Sequence, residues 1–264
     1  MESLLITLIM MFAALMANAQ SCPDDNHPHA IDLGLPSGTK WACCNVGTTT
    51  PEGYGGYYAW GETEEKEIYD WTTYIHCDGS METCHDLGSD IAGSEYDVAH
   101  VQWGSSWVMP SQEQIEELIS KCSYRGTTEN GVDGGLFTGP SGSTIFLPAA
   151  DIRWNGFLEC FVLGGYYWSS TPRPYLYHAY RLSFDLSWGG GGGGNERCHG
   201  LTVRPVISGI TNIIHLKSSS DDTSQTVYNI QGMKVAETIA DMNAISSGIY
   251  IINSKKVSSR GRFR

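Results

Sequence analysis

Residues 179–184 have the sequence Ala-Tyr-Arg-Leu-Ser-Phe, in which an apolar side chain occupies every second position from Tyr180 onward. Because successive side chains of a β-strand point to opposite faces, Tyr180, Leu182 and Phe184 share one face, and Arg181 lies on the other. The pattern therefore predicts a half-buried strand.

Short apolar and aromatic runs separated by Gly, Ser, Asn and Pro continue on both sides of this strand. The chain of 264 residues contains 31 Gly, and 11% of its residues are aromatic. This composition predicts many short strands and long ordered loops, with few helices. Further strands are predicted at 38–42, 57–60, 144–147, 166–169 and 201–204. The glycine run at 189–194 precedes no Lys-Ser or Lys-Thr pair and no helix start, and it is predicted to be a mobile loop.

One helix has a complete start signal. Ser111 is followed three residues later by Gln114, which is the spacing of a capping box. Ile115, Leu118 and Cys122 then follow at the i, i+3, i+7 spacing of one buried stripe. The sequence predicts a helix over 111–121, and a weaker pattern predicts a second one near 96–101.

The N-terminal segment predicts export. Residues 4–16 are almost wholly apolar, and Ala17-Asn18-Ala19 provides a small-x-small cleavage pattern. This apolar run is shorter than the roughly 20 residues that span a bilayer. We therefore expect a signal peptide at 1–19, a flexible mature N-terminus at 20–29, no transmembrane segment, and a place at the cell surface or outside the cell, associated with the outer membrane. A lipid anchor on Cys22 is the alternative, although Ala19-Gln20-Ser21 matches a lipobox poorly.

The cysteines indicate disulfide bonds. Beyond the predicted signal peptide the chain has eight of them: Cys22, Cys43, Cys44, Cys77, Cys84, Cys122, Cys160 and Cys198. An even number in an exported protein favours disulfides over metal or redox chemistry. Cys77 and Cys84 enclose a short loop and form the expected local bridge. The sequence does not determine the pairing of the others.

The charge distribution separates two regions. The whole chain carries a net charge of -13, which makes nucleic acid an unsuitable partner. From residue 211 onward, seven Lys or Arg stand against four Asp or Glu, a net +3. The polar segment 208–224 is predicted to be a linker, and 225–264 a small β unit with a hairpin around Gln231-Gly232.

Several motifs occur in a fixed order along the first region. They are Asp32-Leu33-Gly34-Leu35-Pro36-Ser37-Gly38-Thr39-Lys40-Trp41-Ala42, Cys44-Asn45-Val46-Gly47, Tyr57-Tyr58-Ala59-Trp60-Gly61-Glu62-Thr63, Glu95-Tyr96-Asp97-Val98-Ala99, Trp107 with Met109-Pro110, Ile145-Phe146-Leu147-Pro148-Ala149-Ala150, Gly165-Tyr166-Tyr167-Trp168-Ser169-Ser170 and Val203-Arg204-Pro205-Val206. This ordered set resembles the Fibrobacter succinogenes major paralogous domain, a family common in exported proteins of Bacteroidota, over about 30–207.

The resemblance implies an α+β, C-type-lectin-like fold with short twisted strands, long loops and one or two framing helices. It also implies a Cys44–Cys122 disulfide, because both cysteines stand at family positions, and Cys160 with Cys198 is a further pairing. The chain departs from the family at Val108, where an Arg is usual, and at the additional Cys43. The C-terminal unit resembles type IX secretion sorting domains, which implies contact with a secretion system; an ordinary β appendage is the alternative.

The sequence predicts no enzyme, cofactor or metal site. It has no His-Glu-x-x-His motif, no Gly-x-Ser-x-Gly elbow, no Cys/His array with zinc-finger spacing and no Asp-rich calcium loop. The acidic residues between Glu62 and Asp70 are predicted to form a solvated loop.

The stretch 172–199 is rich in side chains that suit a binding surface. The predicted ligand-binding residues are Tyr175, Tyr177, His178, Tyr180, Trp188, Asn195, Arg197 and His199. The sequence thus favours a surface or secreted protein that binds a glycan or a protein ligand through this stretch. A structural or adhesion component of the cell envelope, with the domain as scaffold only, is the alternative.

Overall fold

The computed structural model describes residues 29–104, 106–159 and 164–208, together with the strands at 227–229, 234–236, 248–252 and 255–259. The chain divides into two compact units, Met1–Ser208 and Gly209–Arg264. The predicted signal peptide, Cys22 and Cys160 lie outside the described residues.

The described part of the first unit contains two α-helices, one short 3-10 turn at Met81–Thr83 and eleven strands. The helices are α1 (Val98–Trp103) and α2 (Gln112–Lys121). The strands are β1 (Ala30–Asp32), β2 (Lys40–Ala42), β3 (Ser123–Glu129), β4 (Val132–Thr138), β5 (Thr144–Pro148), β6 (Ile152–Trp154), β7 (Phe157–Glu159), β8 (Gly164–Pro172), β9 (His178–Asp185), β10 (Trp188–Glu196) and β11 (Val206–Ile207).

These strands form small antiparallel sheets. The orders are β1-β2-β11, β3-β4-β5 and β10-β9-β8, with β6 and β7 as a separate two-stranded hairpin. The second unit holds β12 (Val227–Asn229), β13 (Lys234–Ala236), β14 (Gly248–Ile252) and β15 (Lys255–Ser259) in the order β13-β12-β14-β15.

The structure is mostly β-sheet, so the predicted α+β, C-type-lectin-like fold followed by a C-terminal unit is wrong. Segments that this prediction left as loops form strands instead, among them β3 and β4. These two strands meet at Asn130 and Gly131, whose φ angles of 50° and 84° match an Asn-Gly hairpin turn. Pairing satisfies the backbone N–H and C=O groups of both segments. The side-chain composition of these segments did not predict that they would pair.

The glycine run predicted to be a mobile loop is strand β10. Its residues pair with β9 from Gly191 opposite Ser183 to Glu196 opposite His178, after a bulge that follows Trp188. The Asp185 carboxylate holds the connecting turn, because it accepts hydrogen bonds from the backbone of Ser187 and Trp188. Glycine is required at Gly190, where φ is 101° and a Cβ would lie 2.6 Å from the Ser183 carbonyl oxygen.

Helix α2 is confirmed. Both halves of the Ser111–Gln114 capping box are formed, and Ile115 and Leu118 are buried. They pack in one core cluster with Leu182 and Phe184 of β9, so the helix covers the apolar face that the alternation of this strand predicted. Strand β5 is also found where it was predicted, whereas the predicted strand 201–204 is absent and only Leu201 and Thr202 form isolated bridges.

The β8–β9 pair has a core cluster on each of its faces. Tyr167 belongs to the cluster with α2, while its neighbour Trp168 belongs to a second cluster that contains Trp60 and Ala179. The indole N–H of Trp60 donates to the Ser169 carbonyl at 2.8 Å. This central pair therefore positions the loop between β8 and β9, where the predicted binding stretch begins.

The guanidinium of Arg204 is fully buried and donates to five oxygens. These are Asn45 Oδ1 at 2.7 Å and, at 3.0–3.4 Å, the carbonyl oxygens of Ala42, Cys43, Pro51 and Phe146. One side chain thus joins β2, the loop that follows it, and β5.

We expect Arg204→Met to lower the free energy of unfolding by at least about 3 kcal/mol, because each buried acceptor left unpaired costs roughly 1–3 kcal/mol. Urea denaturation of the two proteins measures the difference. Arg125→Met is the matched control, since Arg125 is exposed and such a change typically costs less than about 0.5 kcal/mol. Equal stability losses in the two variants would contradict the role assigned to Arg204.

Candidate functional site

The predicted binding residues lie on the β9–β10 hairpin and on the segments that flank it. Tyr175 and Tyr177 precede β9, His178 begins it, and Asn195 lies near the end of β10, opposite Ala179. The structure therefore brings these residues to one end of the hairpin.

Three rings stand in series at this end. The Tyr175 and Tyr177 rings stack at a centroid distance of 5.9 Å and an interplanar angle of 29°. The Tyr177 ring then meets the His178 ring edge-on at 4.6 Å. Tyr175 is 63% exposed, so the outer ring of the series faces solvent.

A tight turn after β10 adds a second pair of rings beside this series. The backbone N–H of His199 donates to the Glu196 carbonyl at 3.1 Å, and Glu196 pairs with His178 across the ladder. The His199 ring lies 5.8 Å from the ring of Trp154, at the end of β6. We call Tyr175, Tyr177, His178, His199 and Trp154 the aromatic row.

Trp154 was not among the predicted binding residues. It lies on the β6–β7 hairpin and is 40% exposed, and Phe157 opposite it is 73% exposed. Asn155 and Gly156 form the turn between them, with φ angles of 48° and 78°. An Asn-Gly pair between apolar residues is a strong hairpin signal, and that signal was available in the sequence.

A surface pocket of about 360 Å³ adjoins the β6–β7 hairpin. It is lined by Glu65, Lys66, Glu67, Tyr69 and Arg153. The backbone N–H of Asn155 donates to the Tyr69 carbonyl at 3.2 Å, which fixes the hairpin beside the pocket. Both signs of charge therefore stand next to the exposed rings.

Within the predicted acidic loop, Glu62 is an exception because it is buried. Its carboxylate pairs with Lys66 at 2.8 Å and accepts a hydrogen bond from the Ile75 backbone N–H. Glu62 is only 6% exposed, so the prediction of a solvated loop is wrong for this residue.

Two predicted residues contact other parts of the protein instead of standing free on the surface. Arg197 is 1% exposed, with its guanidinium 4.1 Å from the centre of the Trp60 ring. Its Nε donates to the His178 carbonyl at 3.2 Å, so buried Arg197 holds the backbone of the aromatic row in place. Tyr180 lies under the guanidinium of Arg173 at 5.1 Å.

Trp188 lies away from the other predicted residues. It is 54% exposed and stands opposite Asp185, at the far end of β9 from His178. At about 3.3 Å per residue, the seven steps along β9 place it roughly 23 Å from the aromatic row. The structure therefore does not bring Trp188 into the same surface.

The two histidines of the row are neutral at neutral pH. Burial lowers the pKa of His178, and the nearby Arg173 and Arg197 lower it further, against an opposing effect of Glu196. Burial also lowers the pKa of His199. Their rings therefore present apolar faces and neutral hydrogen-bonding edges.

The thiols of Cys77, Cys84 and Cys122 are free in the structure. Burial raises the pKa of Cys84 to about 11, with a further contribution from the neighbouring Cys77. Burial and Glu117 raise the pKa of Cys122 to about 11. Cys44 is buried. The Cys77–Cys84 and Cys44–Cys122 disulfides stay predictions.

Comparison of the chain with protein-family models, with curated proteins and with solved structures finds no match. The resemblance to the Fibrobacter succinogenes major paralogous domain therefore rests on the sequence motifs alone and stays a prediction. In the described part of the chain, no helix has both the length and the apolar composition needed to cross a membrane.

We expect the chain, if it is exported as predicted, to contain a Cys77–Cys84 disulfide, because Cys84 packs against the core cluster that contains Cys77. Peptide mapping without reduction should then yield one cross-linked peptide pair. Cys77→Ser should lower the melting temperature and free one thiol at Cys84 for alkylation. Two alkylatable thiols in the unreduced exported protein would contradict the bridge.

Proposed function

We propose that this chain is an exported binding protein that recognises a glycan or protein ligand at the cell surface through the aromatic row. The observation that carries the proposal is the stack of exposed Tyr175 on Tyr177, which continues to His178, together with the His199–Trp154 ring pair on the other side of Glu196. The predicted signal peptide supports export.

Exposed aromatic rings in a contiguous set are typical of interaction surfaces. Tyr175, Trp154 and Phe157 are between 40% and 73% exposed, so their apolar faces contact water in the unbound protein. A ligand that covers them removes this surface from water and gains free energy. The C–H face of a sugar ring packs flat against such rings, which favours a glycan.

Polar groups beside the rings supply hydrogen bonds of the kind that fix a ligand's orientation. Glu196 stands between His178 and His199, and its carboxylate is half-buried. The pocket beside the β6–β7 hairpin adds Glu67 and Arg153. Sugar hydroxyls pair with both carboxylates and guanidinium groups, so this combination suits a glycan as well.

The row is held in place before any ligand arrives. The Arg197 backbone N–H donates to the Tyr177 carbonyl at 2.9 Å, and the Arg197 side chain is stacked on buried Trp60. The Arg173 backbone N–H donates to the His178 carbonyl at 3.1 Å. A preformed surface loses less conformational entropy on binding, which increases affinity.

A glycan array and a screen of surface proteins, both with the purified full chain, test the proposal. We expect Tyr175→Ala and Trp154→Ala each to weaken binding at least tenfold, because central aromatic hot spots commonly contribute about 2 kcal/mol or more and tenfold corresponds to about 1.4 kcal/mol. Melting temperatures should change little, since both side chains are exposed.

Trp188→Ala is the matched control, because it removes an exposed indole about 23 Å from the row and should leave affinity unchanged. A loss of binding in Trp188→Ala equal to that in Trp154→Ala would move the site away from the row. The absence of any ligand in both screens, with lower melting temperatures for Tyr175→Ala and Trp154→Ala, would favour the scaffold alternative.

A further inference from the structure

We propose that Glu196, Cys198 and His199 form a binding site for a divalent transition-metal ion of the zinc class. These residues follow one another in the turn after β10, and their donor atoms lie within 4.8 Å of one another. The proposal goes beyond ligand recognition by the aromatic row, and its test needs no organic ligand.

The distances between the donor atoms suit a tetrahedral ion. Glu196 Oε2 lies 3.5 Å from His199 Nε2 and 3.9 Å from Cys198 Sγ. Zinc bonds of roughly 2.0–2.3 Å at tetrahedral angles separate neighbouring ligand atoms by about 3.3–3.8 Å. The two distances from Glu196 Oε2 are therefore within a few tenths of an ångström of those around a tetrahedral ion, and all three donor atoms lie within 4.8 Å of one another.

The types of donor agree with this class of metal. Imidazole nitrogen, thiolate sulfur and carboxylate oxygen are the three ligands that zinc takes in proteins. Calcium and magnesium prefer all-oxygen sites, so the thiol and the imidazole make them poor occupants. The carboxylate and a thiolate together carry two negative charges, which a divalent ion neutralises.

The surroundings of His199 orient its ring for a metal. Its Nδ1 lies 2.8 Å from the amide nitrogen of Asn195, which donates to it, so the neutral ring carries its proton on Nε2. A flip of the Asn195 amide turns its oxygen toward Nδ1, moves the ring proton there and gives Nε2 the lone pair that an ion needs. Nε2 is buried and has no hydrogen-bond partner, as expected for an atom poised to bind an ion. A hydrogen bond on the outer ring nitrogen is a regular feature of metal-binding histidines.

The site is closed on one side and open on the other. Cys198 is fully buried against a core cluster that includes Tyr69 and Tyr74. The side chain of Glu196 is 37% exposed. Three protein ligands with one open side leave a fourth position for water, the arrangement of zinc sites that are not purely structural.

The turn explains why the sequence did not predict this site. Ligands at i, i+2 and i+3 match none of the zinc-finger spacings. Arg197 between them points into the core and stacks on Trp60, so the intervening side chain leaves the three donors on one side.

The test uses the purified full chain, stripped of metal with chelator and reductant and then titrated with Co²⁺ as a spectroscopic substitute for Zn²⁺. We expect one ion per chain, with visible bands of tetrahedral Co²⁺ and a near-ultraviolet thiolate-to-cobalt absorption. Competition with Zn²⁺ should remove both signals. Elemental analysis after desalting gives the zinc stoichiometry independently.

Cys198→Ser should abolish the thiolate absorption, and His199→Ala and Glu196→Gln should each weaken binding at least tenfold. Asn195→Ala keeps all three ligands and should still weaken binding about tenfold or more, because outer-shell partners contribute that much. Cys122→Ser and His85→Ala are the matched controls and should bind as the unmodified chain does. Glu196→Gln and Asn195→Ala keep the test valid if the variant of buried Cys198 fails to fold.

Three results would overturn the proposal. The first is the absence of a thiolate-to-cobalt signal in the reduced chain. The second is metal binding that survives Cys198→Ser and Glu196→Gln unchanged, which would place the ion elsewhere. The third is a disulfide at Cys198 in the exported protein, with Cys160 or another partner, because that bond removes the thiolate ligand. A failure to find a glycan or protein ligand, by contrast, would argue against the proposed function of the aromatic row and would not affect the result of the metal titration.

Discussion

The buried guanidinium of Arg204 connects parts of the chain that are far apart in sequence. It reaches the end of β2, the loop at Asn45 and Pro51, and the carbonyl of Phe146 in β5. Trp41 of β2 and Ile145 of β5 are also buried in one core cluster, and the guanidinium adds hydrogen bonds to the backbone of both strands. The same loop lies against Thr202, whose hydroxyl donates to the Tyr54 carbonyl at 2.8 Å. These contacts connect the loop after β2 to 202–204, and Thr202 in turn bridges Tyr167 of β8.

The β8–β9 pair in turn determines where the candidate binding residues lie. Because core clusters cover both of its faces, the exposed side chains gather at the two ends of the β9–β10 hairpin. At one end the aromatic row and the turn of Glu196, Cys198 and His199 lie side by side. Arg197 contributes to both, since it donates to the His178 carbonyl and lies between Glu196 and Cys198 in sequence with its side chain stacked on Trp60. The proposed ligand-binding surface and the proposed metal site therefore both lie at one end of the β9–β10 hairpin.

The candidate site was predictable from the sequence only in part. The richness of 172–199 in Tyr and His drew attention to this hairpin, and Tyr175, Tyr177, His178 and His199 lie at one end of it. Trp154 contacts His199 although it lies on the β6–β7 hairpin, about 45 residues earlier in sequence. Trp188 lies at the opposite end of the β9–β10 hairpin because β9 is eight residues long. Composition reports which side chains a segment contains, whereas strand length and pairing decide which of them meet.

Local chemistry by itself determined the elements whose stabilising contacts lie within a few residues. The Ser111–Gln114 capping box fixed the start of α2, and the alternation at 179–184 fixed the buried face of β9. Only the tertiary structure decided that the glycine run forms strand β10, that Arg197 is buried on Trp60, and that the fold is mostly β rather than lectin-like. The physical reason is that these outcomes depend on hydrogen bonds and packing between residues far apart in sequence, which short-range periodicity does not specify.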